Sequence, residues 1–78
     1  MRSVVLYTRD GCTLCRYAKA AIIGVRREIE FAFSEVDIGW EGDLYDLYKF
    51  DIPLVEIDGK RAFKHRVDPD ALKARLKK

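Results

Sequence analysis

With 78 residues and 9.1 kDa the chain is about half the commonest domain size, which excludes a two-domain enzyme with an interdomain cleft. A composition of 49% hydrophobic and 36% charged residues, with five glycines and two prolines, excludes a disordered or collagen-like polymer. The net charge of +2 conceals a split: residues 1–33 are net +3, residues 34–59 net −7 and residues 60–78 net +6.

Residues 1–78 are therefore expected to form one domain. The basic ends carry their charges at helical spacing with apolar residues between them, the pattern of a solvated helix face rather than of a nucleic-acid-binding tail. They are placed to attract the acidic middle. No apolar run approaches the roughly 18 residues of a membrane span, and Met1-Arg2-Ser3 leads into four apolar residues, too few for a signal-peptide core. A cytoplasmic protein without membrane contact is expected. In that compartment structural disulfides are rare, so two cysteines three residues apart read as a redox or metal-binding pair.

Val4-Val5-Leu6-Tyr7-Thr8 is a short apolar run, as in a central strand buried on both faces. After Arg9-Asp10-Gly11, the residues Leu14, Ala18, Ala21, Ile22, Val25 and Ile29 form one stripe of an amphipathic helix from about Cys12 to Glu28. Phe31 to Ile38 is strand-like again. A strand, one crossover helix and a second strand imply parallel pairing. Trp40 to Phe50 offers Leu44, Leu47 and Tyr48 on one side of a short helix, with Asp43 suited to its positive N-terminal end. Leu54-Val55-Glu56-Ile57 and Arg61-Ala62-Phe63-Lys64 flank Asp58-Gly59, a pair suited to the two positive-φ positions of a tight hairpin. Asp68-Pro69 supplies an N-cap and a first-turn proline for a last helix, with Val67 and Leu72 as a hydrophobic staple and Leu72 and Leu76 facing inward. The expected class is α/β in the order β-α-β-α-β-β-α: a four-stranded mixed sheet with three helices.

The chemistry concentrates in Gly11-Cys12-Thr13-Leu14-Cys15, where a strand passes into a helix. Free N–H groups and the positive end of the helix dipole favour a thiolate at Cys12, and Arg9 and Arg16 could add to this. Cys12 is thus the candidate nucleophile. Cys15 shares the helix side of Ala18, Ile22 and Val25, which makes it the more buried thiol and the candidate resolving cysteine. Incidental core packing is the bland alternative. A structural zinc needs four ligands, and beyond the two sulfurs the chain offers only His65 and carboxylates, so no metal site is expected.

The run from Val4 to Cys15, followed by Ile52-Pro53 before a hairpin, resembles a glutaredoxin of the thioredoxin superfamily, in particular the small divergent bacterial type. The resemblance covers almost the entire chain. It implies a thioredoxin-like fold and thiol–disulfide oxidoreductase activity through the Cys12/Cys15 dithiol. It further implies a cis bond before Pro53, a backbone at Ile52 that pairs with bound thiol substrate, and an Arg9 that contacts a glutathione carboxylate. Leu14 replaces the tyrosine of the family's Cys-Pro-Tyr-Cys, and His65-Arg66-Val67-Asp68 stands where a Gly-Gly pair followed by acidic residues would be. No tightly bound cofactor is implied. The expected partners are a disulfide-containing protein or a glutathione mixed disulfide, with reduction by glutathione or a thioredoxin reductase, and the expected state is a monomer. Two other readings stay open: a non-catalytic redox-sensing or protein-binding module with exposed Trp40, Tyr45 and Tyr48, and iron–sulfur carriage by a dimer.

Overall fold

The computed structural model describes residues 1–77. Its elements are β1 (Ser3–Thr8), α1 (Thr13–Arg26), β2 (Ala32–Asp37), α2 (Asp43–Tyr48), β3 (Leu54–Ile57), β4 (Lys60–Lys64) and α3 (Pro69–Leu76). The strands form one sheet in the order β2-β1-β3-β4, with β1 parallel to β2 and the other neighbours antiparallel. Class and element order are those expected. The helix expected from Cys12 to Glu28 is shorter at both ends, because Cys12 is its extended N-cap and Arg27 its C-cap.

Side chains alternate along a strand, so β1 divides its residues between two faces. Val4 and Leu6 lie opposite Ile57 and Val55 and pack with Ala18, Ile22 and Val25 of α1 and Leu72 and Leu76 of α3. This face is dry and apolar, with Phe31 buried in the same cluster. Each Val, Leu or Ile among them taken out of water contributes about 1.5–3 kcal/mol, so these rows are the main source of stability.

Full burial of β1 on both faces is not what the structure has: Val5 and Tyr7 are only half-buried. On that face Tyr7 meets α2, a helix of six residues. That helix also turns differently from the sequence expectation. Leu44 and Leu47 point to solvent, 42% and 61% exposed, and Tyr45 and Tyr48 face inward, half-buried. Both pairs are spaced three apart, so periodicity offers two apolar edges on this helix without choosing between them. The ring of Tyr7 decides, stacking on Tyr48 with centroids 4.4 Å apart. A similar correction applies to Leu14, which is 52% exposed. The inward row of α1 is Cys15, Ala18, Ile22 and Val25, and Leu14 lies one residue off it.

The turn chemistry is as the sequence implies. Asp58 and Gly59 have φ of 52° and 82° in the β3–β4 hairpin. The Asp58 carboxylate accepts a hydrogen bond from the Ser3 N–H at 2.9 Å, which, with Arg2, holds its carboxyl below the ordinary range. Asp68 caps α3 by accepting from the Asp70 N–H at 3.3 Å. Ion pairs join the basic ends to the acidic middle: Arg2 to Asp58, Lys19 to Glu35, and Arg61 and Lys64 to Asp51. Among the described residues, no helix is long and apolar enough to cross a membrane.

Candidate functional site

The site forms where β1 runs out. The Cys12 N–H donates to the Arg9 carbonyl at 3.2 Å, closing a turn that holds Gly11 at φ 83°, a conformation glycine adopts without strain. The turn delivers Cys12 to the N-cap of α1 with an extended backbone, φ −87° and ψ 109°. There its sulfur accepts a hydrogen bond from the Cys15 N–H at 3.1 Å, the task a serine or aspartate oxygen performs at other helix starts. The same donor would stabilise negative charge on that sulfur, as would the helix dipole.

Cys12 and Cys15 are joined by a disulfide with their Cα atoms 5.3 Å apart, inside the usual range of about 4.4–6.8 Å. The two sulfurs occupy different environments. Cys12 is half-buried, whereas Cys15 is 2% exposed in a cluster with Ile38, which follows β2, and Ile52, which precedes β3. Tyr7, Tyr45 and Tyr48 pack against this cluster. The Tyr7 hydroxyl donates to Glu56 at 3.0 Å, and burial together with that carboxylate pushes its pKa up to about 12.

The Ile52–Pro53 bond is cis, and Pro53 is buried. Because Ile52 shares the Cys15 cluster, this segment lies against the dithiol. It is tied from the other side by His65, whose N–H donates to the Pro53 carbonyl at 2.7 Å and whose Nε2 is 2.8 Å from the Phe50 carbonyl. Since a carbonyl only accepts, Nε2 carries the proton in that bond. His65 does this at φ 72°, a left-handed backbone costly for a residue other than glycine. Where the sequence has no glycine pair, a histidine makes this left-handed turn and adds a side-chain tie. The sequence marks His65 only as standing where a glycine pair would be and carries no signal of this tie.

One depression opens on the dithiol and a second lies further along α1. A recess of about 340 Å³ is lined by residues that include Arg9, Cys12, Cys15, Arg16 and Asp37. A groove of about 440 Å³ runs between α1 and the segment entering α3, lined by Leu14, Tyr17, Ala18 and His65 to Asp68. The Arg9 guanidinium lies over the Trp40 ring at 4.0 Å and within 5.8 Å of the Tyr45 ring. Arg9 is expected beside the cysteines and Trp40 among exposed aromatics, but their contact has no local signal, because Trp40 arrives through the loop containing Gly39 and Gly42, at φ 73° and 100°. Tyr45 and Tyr48, expected among exposed aromatics, are half-buried, and of those three only Trp40 is widely exposed, at 65%.

Comparison with known proteins agrees with this geometry. The profile of the glutaredoxin-like domain (DUF836) matches residues 3–77. A glutaredoxin-like protein of Dictyostelium discoideum, described as a YDR286C homolog, is 38% identical over 76 residues, covering 90% of this chain and 70% of that protein. The X-ray structure of a structural-genomics target from X. campestris superposes with a TM-score of 0.78 at 30% identity, covering 95% of each chain. A mutant thioredoxin from Halobacterium salinarum shares the fold, with a TM-score of 0.70 at 20% identity over 97% of this chain and 72% of its own. By the profile that spans it and the relative it matches, this chain belongs to the glutaredoxin-like family, built on a thioredoxin fold.

Proposed function

We propose that the protein is a thiol–disulfide oxidoreductase working through Cys12 and Cys15. The observation that carries this reading is the inequality of the two sulfurs. One sits at a helix N-cap under an N–H donor, and the other is buried one turn along within bonding reach.

In the reduced protein the Cys12 thiolate attacks one sulfur of a substrate disulfide. A new S–S bond forms, and the departing substrate thiolate takes the electron pair of the broken bond and a proton. Cys15 then gives up its proton and attacks the Cys12 sulfur. That closes the Cys12–Cys15 disulfide and releases the second substrate thiol, so two electrons have passed to the substrate. No metal or tightly bound cofactor enters these steps. Two electrons from glutathione or from a thioredoxin-reductase-type enzyme would restore the dithiol, a cycle suited to the cytoplasm and to control of its redox state.

Arg9 would bind a substrate carboxylate, that of glutathione included, and the Ile52 backbone would align the substrate beside the cis Pro53. Its substrates would be a disulfide-bearing protein or a glutathione mixed disulfide. The two cysteine variants test the roles. Cys12→Ser is expected to abolish exchange, and Cys15→Ser to accumulate mixed disulfides on Cys12, both read by mass spectrometry after incubation with glutathione disulfide. Full dithiol activity in Cys12→Ser would contradict the assignment. Exposed Leu44 and Leu47 speak for a second reading, a redox-sensing binding module. A wild-type protein that forms its disulfide reversibly but turns over no substrate would favour that module.

A further inference from the structure

The Arg9 guanidinium presents a planar group with five N–H donors beside the dithiol, and among the described residues none of them has a hydrogen-bond or ion-pair partner. Its Nε is buried without a partner, an arrangement that asks for an explanation in a folded protein. What the guanidinium does have is an aromatic seat, with the Trp40 ring 4.0 Å away and the Tyr45 ring 5.8 Å away. Stacking occupies the face of a guanidinium and leaves its edge, the part that grips a carboxylate through two parallel hydrogen bonds. Trp40 is otherwise mostly in water, 65% exposed. A long, flexible side chain that is already held in place loses less freedom when it binds.

We propose that Trp40 is a positioning residue, a platform that holds the Arg9 guanidinium beside Cys12 so that its N–H edge takes a carboxylate of a thiol or disulfide substrate. This rests on the oxidoreductase reading for its substrate class, but it can be tested without turnover. It assigns to Trp40 the affinity for carboxylate-bearing substrates and leaves the chemistry to the cysteines.

The test titrates the reduced protein with S-methylglutathione, which carries carboxylates and no exchangeable thiol, following the Arg9 Nε–H signal by NMR. In the unligated wild type that signal is shifted upfield by the Trp40 ring, and it moves saturably on titration. Trp40→Ala removes the upfield shift and weakens binding about 2- to 5-fold, the worth of an exposed cation–π contact. Trp40→Phe, which keeps a ring, recovers most of the affinity. Arg9→Ala weakens binding to S-methylglutathione and makes the Trp40 substitution silent, and the diester of the same ligand binds all variants alike. The proposal is overturned if wild type does not bind, if Trp40→Ala binds as wild type does, or if the two substitutions weaken binding additively. Binding with this pattern in a protein that exchanges no disulfide would instead remove the oxidoreductase reading and leave the platform standing.

Discussion

The two faces of the sheet are built for different tasks. On the α1 and α3 face, Val4, Leu6, Ile22, Val25 and Leu72 are fully buried, with no polar group among them. On the α2 face and along the sheet end beside it, the contacts are aromatic and polar: Tyr7 on Tyr48, Tyr7 to Glu56, and Arg9 on Trp40. The difference teaches where stability and reactivity reside. α1 serves both, its inward row anchoring it in the apolar core while its N-terminus holds the dithiol beside the tyrosine cluster. The dry face fixes the helix, and the wetter one sets Cys12 and Arg9 in the lining of one open recess.

The contrast can be broken most strongly from the dry side. Ile22→Ala removes fully buried methyl groups and is expected to cost about 2–5 kcal/mol, read as a lower urea midpoint, while exchange per folded molecule stays at the wild-type rate. A smaller effect is expected at Tyr7. Its pKa is raised to about 12 by burial and Glu56, so the fold favours the neutral phenol. The unfolded phenol ionises near pH 10 while the folded one keeps its proton, so this contribution is complete below pH 10 and is lost as pH rises toward 12. Tyr7→Phe should flatten that part of the alkaline decline, and equal declines in the two proteins would disprove the role given to this pair. Least of all is expected at Leu47, which is 61% exposed: Leu47→Ser should move stability by no more than about 0.5 kcal/mol. A large loss there would mean that α2 covers more than the two tyrosines.

What was legible in the sequence follows from which signals are local. Asp58-Gly59 specifies its hairpin because two adjacent residues carry the positive φ angles the turn needs. The Cys12/Cys15 pair was legible because its environment is set by the strand end before it and the helix row after it. The Ile52–Pro53 geometry was accessible only through the family resemblance. The exposure of Trp40 was legible but its contact with Arg9 was not, because nothing in Gly39-Trp40-Glu41 states that it meets Arg9, a contact made by the return of the chain after β2. The choice of Tyr45 and Tyr48 over Leu44 and Leu47 was equally hidden, since it is made by Tyr7 on another strand. His65 was hidden for a different reason: its left-handed backbone is one that sequence patterns assign to glycine.

The central claim is that the fold makes two chemically identical thiols unequal. The most direct measurement is the rate at which each cysteine of the fully reduced protein is alkylated by iodoacetamide between pH 5 and 9, resolved by mass spectrometry of the separate sites. The account predicts that Cys12 reacts first and far faster throughout the range, with Cys15 modified only slowly until the protein is denatured, when the two rates converge. Equal rates in the folded protein, or Cys15 reacting ahead of Cys12, would contradict it.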